Sequence, residues 1–375
     1  MAVVEPPSSI DRTGQTDASA ALTTFTDTLP PGTTVRMGAG ARYRCDLTWW
    51  IDERIGLEID GQGAEVFRSR RDGSGSLISV VGGRDLDLHD LRITGSNVLM
   101  EASAHTPREG QHTLYLSGAV DACVYRVELS YSEGDLLYLG RKKIGPSGSD
   151  DSYVPCSNVW VTAFTAHHAG RQIITAQGVR HCVIADGEAT EGNRAWLEME
   201  GLKRAGNGVD GLLVANMIVG PTRLNMIANA GSAAADRVTF RDNRLARSLI
   251  VYGKHTEGGR RSGWSITGNR LLDVDGRFTK APLPGKPPHA GSPSGCTVNL
   301  TRYDDLTVEN NGPFFLDAGR TPPMVLCGLS DCQGFDVSGN EVVEVFGGDS
   351  SRQWNVVGPG VQVRADAASV PAMGH

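Results

Sequence analysis

Glu198 and Glu200, in Leu197-Glu-Met-Glu200, are the pair of side chains in this 375-residue sequence best spaced for chemistry. On an extended strand, residues i and i+2 share a face and lie about 6.6 Å apart along it. An inverting glycosidase separates its acid and its base by roughly 6.5–9.5 Å. In that role one carboxyl with a raised pKa protonates the leaving oxygen while the other activates water. The competing role is structural, an ionic ladder with Arg171 and Arg194 that fixes the stacking of neighbouring segments. A second chemistry needs different groups: a uronan lyase requires a cation on the carboxylate and a base for the α-proton. Arg171 suits the first task because its planar fork binds a carboxylate with two hydrogen bonds, and His168 or Tyr138 suits the second. Corner positions on the surface are the plainer role for all three.

These side chains meet only if the chain returns to the same place repeatedly, and a repeated phrase says that it does. Leu57-Glu-Ile59-Asp-Gly-Gln62-Gly-Ala64 is followed by Leu91-Arg-Ile93-Thr-Gly-Ser96-Asn-Val98, Val238-Thr-Phe240-Arg-Asp-Asn243-Arg-Leu245 and Trp264-Ser-Ile266-Thr-Gly-Asn269-Arg-Leu271. Leu306-Thr-Val308-Glu-Asn-Asn311-Gly-Pro313 and Phe335-Asp-Val337-Ser-Gly-Asn340-Glu-Val342 complete the set. Alternation with period two makes each a short strand with one buried face. Four of the six carry Asn at one offset, which predicts an asparagine ladder hydrogen-bonding along a stack at one corner. A second strand series lies between: Leu114-Tyr-Leu116, Leu137-Tyr-Leu139, Ile174-Thr-Ala176, Leu197-Glu-Met199, Leu224-Asn-Met226 and Leu249-Ile-Val251. With the flanking residues inward, Tyr115, Tyr138, Thr175, Glu198, Asn225 and Ile250 share one outer wall.

The predicted fold is all-β, a single-stranded parallel β-helix of about ten coils with a short N-terminal capping helix. Residues 1–44 are read as an N-terminal arm and cap, 45–363 as the solenoid and 364–375 as a flexible tail. The cap is Asp17–Asp27, with Ala21, Leu22 and Phe25 on its apolar stripe and Thr16 as N-cap. Three stretches break the rhythm and are predicted to be loops, near 100–112, 141–156 and 277–296. On the wall, Tyr138, Gln172, Trp196 and Asn225 are the expected sugar-contacting set, and the adjacent Trp49 and Trp50 offer rings either for stacking on sugars or for packing against the cap.

Composition removes several classes. There are 43 acidic and 36 basic residues with a net charge of −7 and no basic block, so no nucleic-acid partner is expected. No apolar run reaches the roughly 20 residues of a membrane span, and the first ten residues show no Sec-type signal pattern. Seven cysteines without a CxxC spacing argue against a complete disulfide framework and a zinc ribbon. Asp150-Asp151 with Ser147, Ser149 and Ser152 offers hard oxygen ligands for Ca²⁺ without EF-hand spacing, a solvated loop being its plainer role, and no other cofactor or metal is expected. Gly38-Ala-Gly40 and Gly61-Gln-Gly63 lack the remainder of a dinucleotide fingerprint.

Asp11-Arg-Thr-Gly14-Gln-Thr-Asp17, then Pro31-Gly32-Thr-Thr-Val35 and Gly40-Ala-Arg-Tyr43, resemble the start of pectate-lyase-like right-handed β-helix proteins. Ala169-Gly-Arg-Gln172 with Leu197-Glu-Met-Glu200 one coil later resembles a segment of phage-borne and bacterial members of that superfamily. The resemblance runs from about Asp11 to Val345. It implies the fold, and a position after Gly134 that is often acidic in the enzymes, here Asp135; an Asx-turn cap is the plainer role for it. The family's polygalacturonase-like signatures are not matched: Asp150-Asp151 and Asp304-Asp305 lack the expected neighbours, and His167-His168-Ala-Gly170 is a poor fit to the histidine signature. By this resemblance the expected protein is a bacteriophage tail component, a homotrimer in the virion or otherwise extracellular. It would contact cell-envelope polysaccharide and other tail proteins, with or without cleavage. The alternatives are a bacterial polysaccharide lyase or hydrolase and a non-catalytic structural β-helix.

Overall fold

The computed structural model describes residues 2–71, 75–98, 107–145, 153–200, 208–220, 222, 226–230, 235–245, 250–254, 261–271, 296–311, 314–316, 325–330, 333–340, 342–344, 355–357 and 362–363. They wind as a right-handed parallel β-helix whose coils each contribute to three ladders, here called the A, B and C sheets. In the A sheet Val35, Ile59, Leu88, Val124, Val161, Ile184, Val214, Phe240, Ile266 and Val308 stack in register. The B sheet has ten strands and stacks Tyr43, Val66, Ile93, Leu129, Ala166, Ala189, Val219 and Leu245. The C sheet stacks Trp49, Ile78, Leu114, Leu137, Ile174 and Leu197. All of these side chains are buried in one continuous core. Period-two alternation is what puts them there, since every second residue of a strand faces the interior.

The corner between the A and B sheets is turned by residues in the left-handed region. Asp90, Arg126, Ala163, Asp186, Asn216, Asp242 and Asn310 all have φ between 50° and 56°. The residue after each, except Gly187 after Asp186, points inward, and in the C-terminal coils it is asparagine. Asn243 Nδ2 donates to Asn269 Oδ1 at 2.8 Å, Asn269 Nδ2 to Asn311 Oδ1 at 2.8 Å and Asn311 Nδ2 to Asn340 Oδ1 at 3.0 Å. Each also donates to a backbone carbonyl, Val214, Phe240 and Ile266 respectively. The asparagine ladder is therefore present, but it begins at Asn243. In earlier coils the position is filled by buried Leu91, Val127, Phe164 and Met217.

Two readings of the repeat are corrected by the register. Ile93 pairs with Val66 and Leu129 in the B sheet, so Leu91–Val98 is not a copy of Leu57–Ala64; its A-sheet counterpart is Leu86-Asp-Leu88. In the C sheet, Glu198 pairs with Ala228 and Ala228 with Tyr252. The row therefore continues through residues 228 and 252, not 225 and 250. Asn225 lies outside the described residues. Both slips have one cause: short apolar-polar alternation repeats itself within a coil, and a register displaced along it reads almost equally well.

The cap is the helix Ser19–Asp27, with Leu22 and Thr26 buried and Ala21 exposed. Trp49 Nε1 donates to Thr26 Oγ1 at 3.4 Å, and the Trp50 amide donates to Thr23 Oγ1 at 3.0 Å, which seats the helix on the first C-sheet strand. Thr16 is not the N-cap. Its amide donates to Asp11 Oδ2, while Asp17 Oδ1 accepts from the Ser19 amide at 3.0 Å. Within residues 1–44, Ala2–Val4 already pairs with Thr33–Arg36 and Arg36 with Asp60, so the solenoid's first rungs are laid there. The predicted loop at 141–156 opens as an antiparallel arm, Lys143 opposite Tyr153. The Ca²⁺ possibility at Asp150-Asp151, the loop at 277–295, most of the loop at 100–112 and the tail lie outside the described residues. Cys45, Cys123, Cys156 and Cys182 are free thiols.

Candidate active site

The outer wall of the C sheet carries, coil by coil, Trp50, Ser79, Tyr115, Tyr138, Thr175 and Glu198. A cleft of about 440 Å³ opens over the Trp50–Tyr138 part of it, lined by Trp50, Ser76, Ser79, Glu109, His112, Tyr115, Tyr138, Arg171 and Glu200 among others, with Thr175 and Glu198 outside its lining. Trp49 and Trp50 alternate on their strand, so Trp49 is fully buried beneath the cap while Trp50 is 47 % exposed to the cleft. Tyr115 and Tyr138 meet edge to face at 5.3 Å, and the His112 ring lies 4.5 Å from that of Tyr138. The tyrosine rings have room because the residue in the next outward position is Gly140. A Cβ there would stand 2.8 Å from the Tyr115 ring and 3.2 Å from Tyr138.

Arg171 is the charged node. Its guanidinium reaches Glu109 at 2.9 Å, Glu200 at 3.4 Å and Asp135 at 3.7 Å. Glu200 is further fixed by Tyr138, whose hydroxyl donates to Oε2 at 3.1 Å. Asp135 is fully buried, and its carboxylate accepts from the Gln172 amide at 3.1 Å and from Thr175 Oγ1 at 2.8 Å. The Asp135 amide in turn donates to His112 Nδ1 at 3.1 Å, which makes that nitrogen an acceptor and leaves any ring hydrogen on Nε2. Glu198, by contrast, has no hydrogen-bond or ion-pair partner among the described residues.

These surroundings separate the acids electrostatically. Burial pushes Glu198 up to about 7, helped by the charges of Glu200 and Asp135 and opposed by Arg171 and Arg194. Glu200 is also raised by burial and by Asp135, but Arg171 and the Tyr138 hydroxyl hold it back. Burial takes Asp135 up to about 6 against Arg171, Thr175 and the Gln172 amide. His112 is pulled down to about 3 by burial and by Arg171, so it is neutral at pH 7. Burial lowers Arg171, yet its carboxylate neighbours, Asp135 foremost, carry it above its ordinary value. Two carboxyls held side by side with different proton affinities are the elements of general acid–base chemistry.

Of the expected residues, the fold brings Glu198, Glu200, Arg171 and Tyr138 to one wall. Asp135 lies beneath it, out of a substrate's reach, as a support for Arg171. Three expectations are corrected. Gln172 is 1 % exposed and meets Asp135 through its backbone. Trp196 is 2 % exposed and points into the core, its ring 6.5 Å from that of Phe240. His168 sits on the corner between the B and C sheets, paired with Glu191 at 2.7 Å and stacked on Tyr131. Its left-handed φ of 65° carries it around that corner. Of the two candidate lyase bases, His168 leaves the wall while Tyr138 stays on it with its hydroxyl bound to Glu200, and the cation, Arg171, is already engaged by carboxylates. Glu109 and His112 were not foreseen; both sit at the edge of an insertion, where no strand periodicity signals a facing direction.

No protein-family model matches the chain, and no curated protein matches it in sequence. Solved structures do match in fold. A DFA-IIIase from Arthrobacter chlorophenolicus A6, without its lid, superposes with a TM-score of 0.64 at 14 % identity, over 98 % of this chain and 97 % of that one. An endo-xylogalacturonan hydrolase from Aspergillus tubingensis gives 0.63 at 12 % identity, over 92 % and 93 %. The tailspike protein of E. coli bacteriophage HK620, in complex with a pentasaccharide, gives 0.58 at 11 % identity, over 95 % of this chain and 64 % of the tailspike. The chain thus has the pectin-lyase-like right-handed parallel β-helix fold.

Proposed function

We propose that this protein binds a polysaccharide along the C-sheet wall and hydrolyses it with inversion. The observation that carries the reading is the unequal setting of Glu198 and Glu200 on one strand. Glu200, oriented by Arg171 and Tyr138, is the base that takes a proton from water. Glu198, without a hydrogen-bond or ion-pair partner among the described residues and pushed up to about 7 by burial, is the acid that protonates the leaving oxygen. Water attacks the anomeric carbon as the glycosidic bond breaks, and bulk solvent returns the proton balance. Trp50, Tyr115 and Tyr138 give the sugar rings apolar surface in a cleft whose polar groups fix orientation. The similarity in fold to an endo-xylogalacturonan hydrolase and to a tailspike crystallised with a pentasaccharide supports a glycan as substrate.

The setting we infer is the bacteriophage tail, outside the host cell, with a cell-envelope polysaccharide as substrate and a homotrimer as the working form. The tailspike-like fold supports it. An apolar row on the outer face of the A sheet, Cys123, Trp160, Val183 and Leu213 in register, supports self-association, with Trp160 52 % exposed. Large exposed apolar patches mark interaction surfaces.

The test is incubation with a panel of bacterial capsular and O-antigen polysaccharides, following reducing ends and unsaturated-uronate absorbance together. Reducing ends alone are expected, and they should disappear in Glu198→Gln and in Glu200→Gln. Turnover retained in either variant rejects the pair, and unsaturated ends reject hydrolysis. Native mass measurement should give three chains; a monomer contradicts the tail setting.

A further inference from the structure

On the corner between the B and C sheets two neighbouring histidines face each other. His168 has a φ of 65°, which breaks the alternation of the strand Thr165–Ala169 and lets successive side chains turn together. The result is an Nδ1 to Nδ1 separation of 2.6 Å between His167 and His168. The other ring nitrogen of each faces a carboxylate. His167 Nε2 lies 3.3 Å from Glu128 Oε1, and His168 Nε2 lies 2.7 Å from Glu191 Oε2. Glu128 belongs to the coil before and Glu191 to the coil after.

A carboxylate only accepts, so each Nε2 carries the ring hydrogen and each Nδ1 of a neutral ring keeps its lone pair. Two lone pairs aimed at each other repel, and a positive charge between them relieves the repulsion. A shared proton can be held on only one ring, whereas a metal ion takes both lone pairs at once. Carboxylates on the outer nitrogens are the arrangement that orients metal-ligating imidazoles and raises their basicity. The Tyr131 ring fixes the pair, stacked on His168 at 4.6 Å and edge-on to His167 at 5.8 Å. Both side chains are about a quarter exposed (25 % and 27 %), so water can complete a coordination sphere.

We propose that His167 and His168 bind a divalent transition-metal ion of the Zn²⁺, Ni²⁺ or Cu²⁺ class. Imidazole nitrogen suits these ions, while Mg²⁺ and Ca²⁺ want oxygen. At metal–nitrogen distances of about 2.0–2.1 Å the rings need only a small opening rotation. Another cluster among the described residues, Asp60, His89 and Asp90, already has its charge met: Arg126 binds Asp90 through two hydrogen bonds and Arg36 lies 3.6 Å from Asp60.

The experiment is calorimetric titration of the chelator-stripped, full-length protein with Zn²⁺ and Ni²⁺, with Co²⁺ absorption as a ligand fingerprint. One ion per chain is expected, with no thiolate charge-transfer band. His167→Asn and His168→Asn should each abolish binding. Glu191→Gln, which changes only the outer carboxylate, should weaken it about 10- to 100-fold while the metal-free melting curve stays unchanged. Absence of binding at millimolar metal, a thiolate band, or binding unaltered in Glu191→Gln and in whichever histidine variants fold would each overturn the site.

Discussion

The Tyr138 hydroxyl donates to Glu200 Oε2 at 3.1 Å, joining side chains from strands two coils apart in the stack. That bond and the Arg171 guanidinium hold Glu200 in one orientation, while Glu198, on the same strand, has nothing comparable. The difference in partners, more than the presence of two carboxyls, is the basis of the acid and base roles proposed for them.

A pH profile follows. Glu198 works as an acid only while protonated, so its contribution is present below a pKa of about 7 and lost above it. Glu200 works as a base only when ionised, and its pKa is raised above the ordinary 4.5. The rate should therefore trace a bell with its alkaline limb near pH 7 and its acid limb above pH 4.5. Initial rates across pH 4–9 check this; Tyr138→Phe, which removes a hydrogen bond that stabilises the Glu200 carboxylate, should move the acid limb upward.

Asp135 should make the folded state less stable as pH rises. Its folded pKa, about 6, stands above the ordinary 3.8 of the unfolded chain. Between those values the folded chain keeps a proton that the unfolded chain has lost, so stability falls with rising pH by up to about 3 kcal/mol and is flat above. Asp135→Asn removes this dependence. Relative to wild type, the variant should gain stability between pH 4 and pH 7, measured by urea unfolding at both values.

Asn269 is an interior rung of the asparagine ladder, bonded to Asn243, Asn311 and the Phe240 carbonyl. Asn269→Ala strands buried polar groups on both sides, at about 1–3 kcal/mol for each group left unsatisfied. A loss of roughly 3 kcal/mol in denaturant unfolding is expected. Asn340, where the described ladder ends, is half-buried, and Asn340→Ala should lose less.

Gly140 keeps the tyrosine rings in place. Gly140→Ala puts a methyl group 2.8 Å from the Tyr115 ring, so the rings must move into the cleft. The expected result is glycan affinity about tenfold weaker, near 1.4 kcal/mol, with little change in the melting temperature. Isothermal titration with oligosaccharide and a thermal melt separate the two effects.

The sequence revealed the architecture because a solenoid repeats its physics. Ile266, Val308 and Val337 show the same alternation and the same following asparagine, and stacking makes them neighbours. The shared wall of Glu198, Glu200, Arg171 and Tyr138 was legible for the same reason. Trp196 and Gln172 were not, because their direction is set just before the strand begins, where alternation gives no guide. His168 was misplaced by a left-handed backbone that sequence pattern does not display. Glu109 and His112 flank an insertion, so their approach to Arg171 and Asp135 is a property of the assembled coil alone.

The most direct measurement is a crystal structure of Glu198→Gln soaked with the oligosaccharides that the wild-type protein releases from its polysaccharide. Sugar rings should lie along the C-sheet wall from Trp50 to Glu200, with a glycosidic oxygen beside residue 198 and a water between Glu200 and the anomeric carbon. Sugar bound on the A or B face, or a wall left bare at saturating oligosaccharide, would contradict the account.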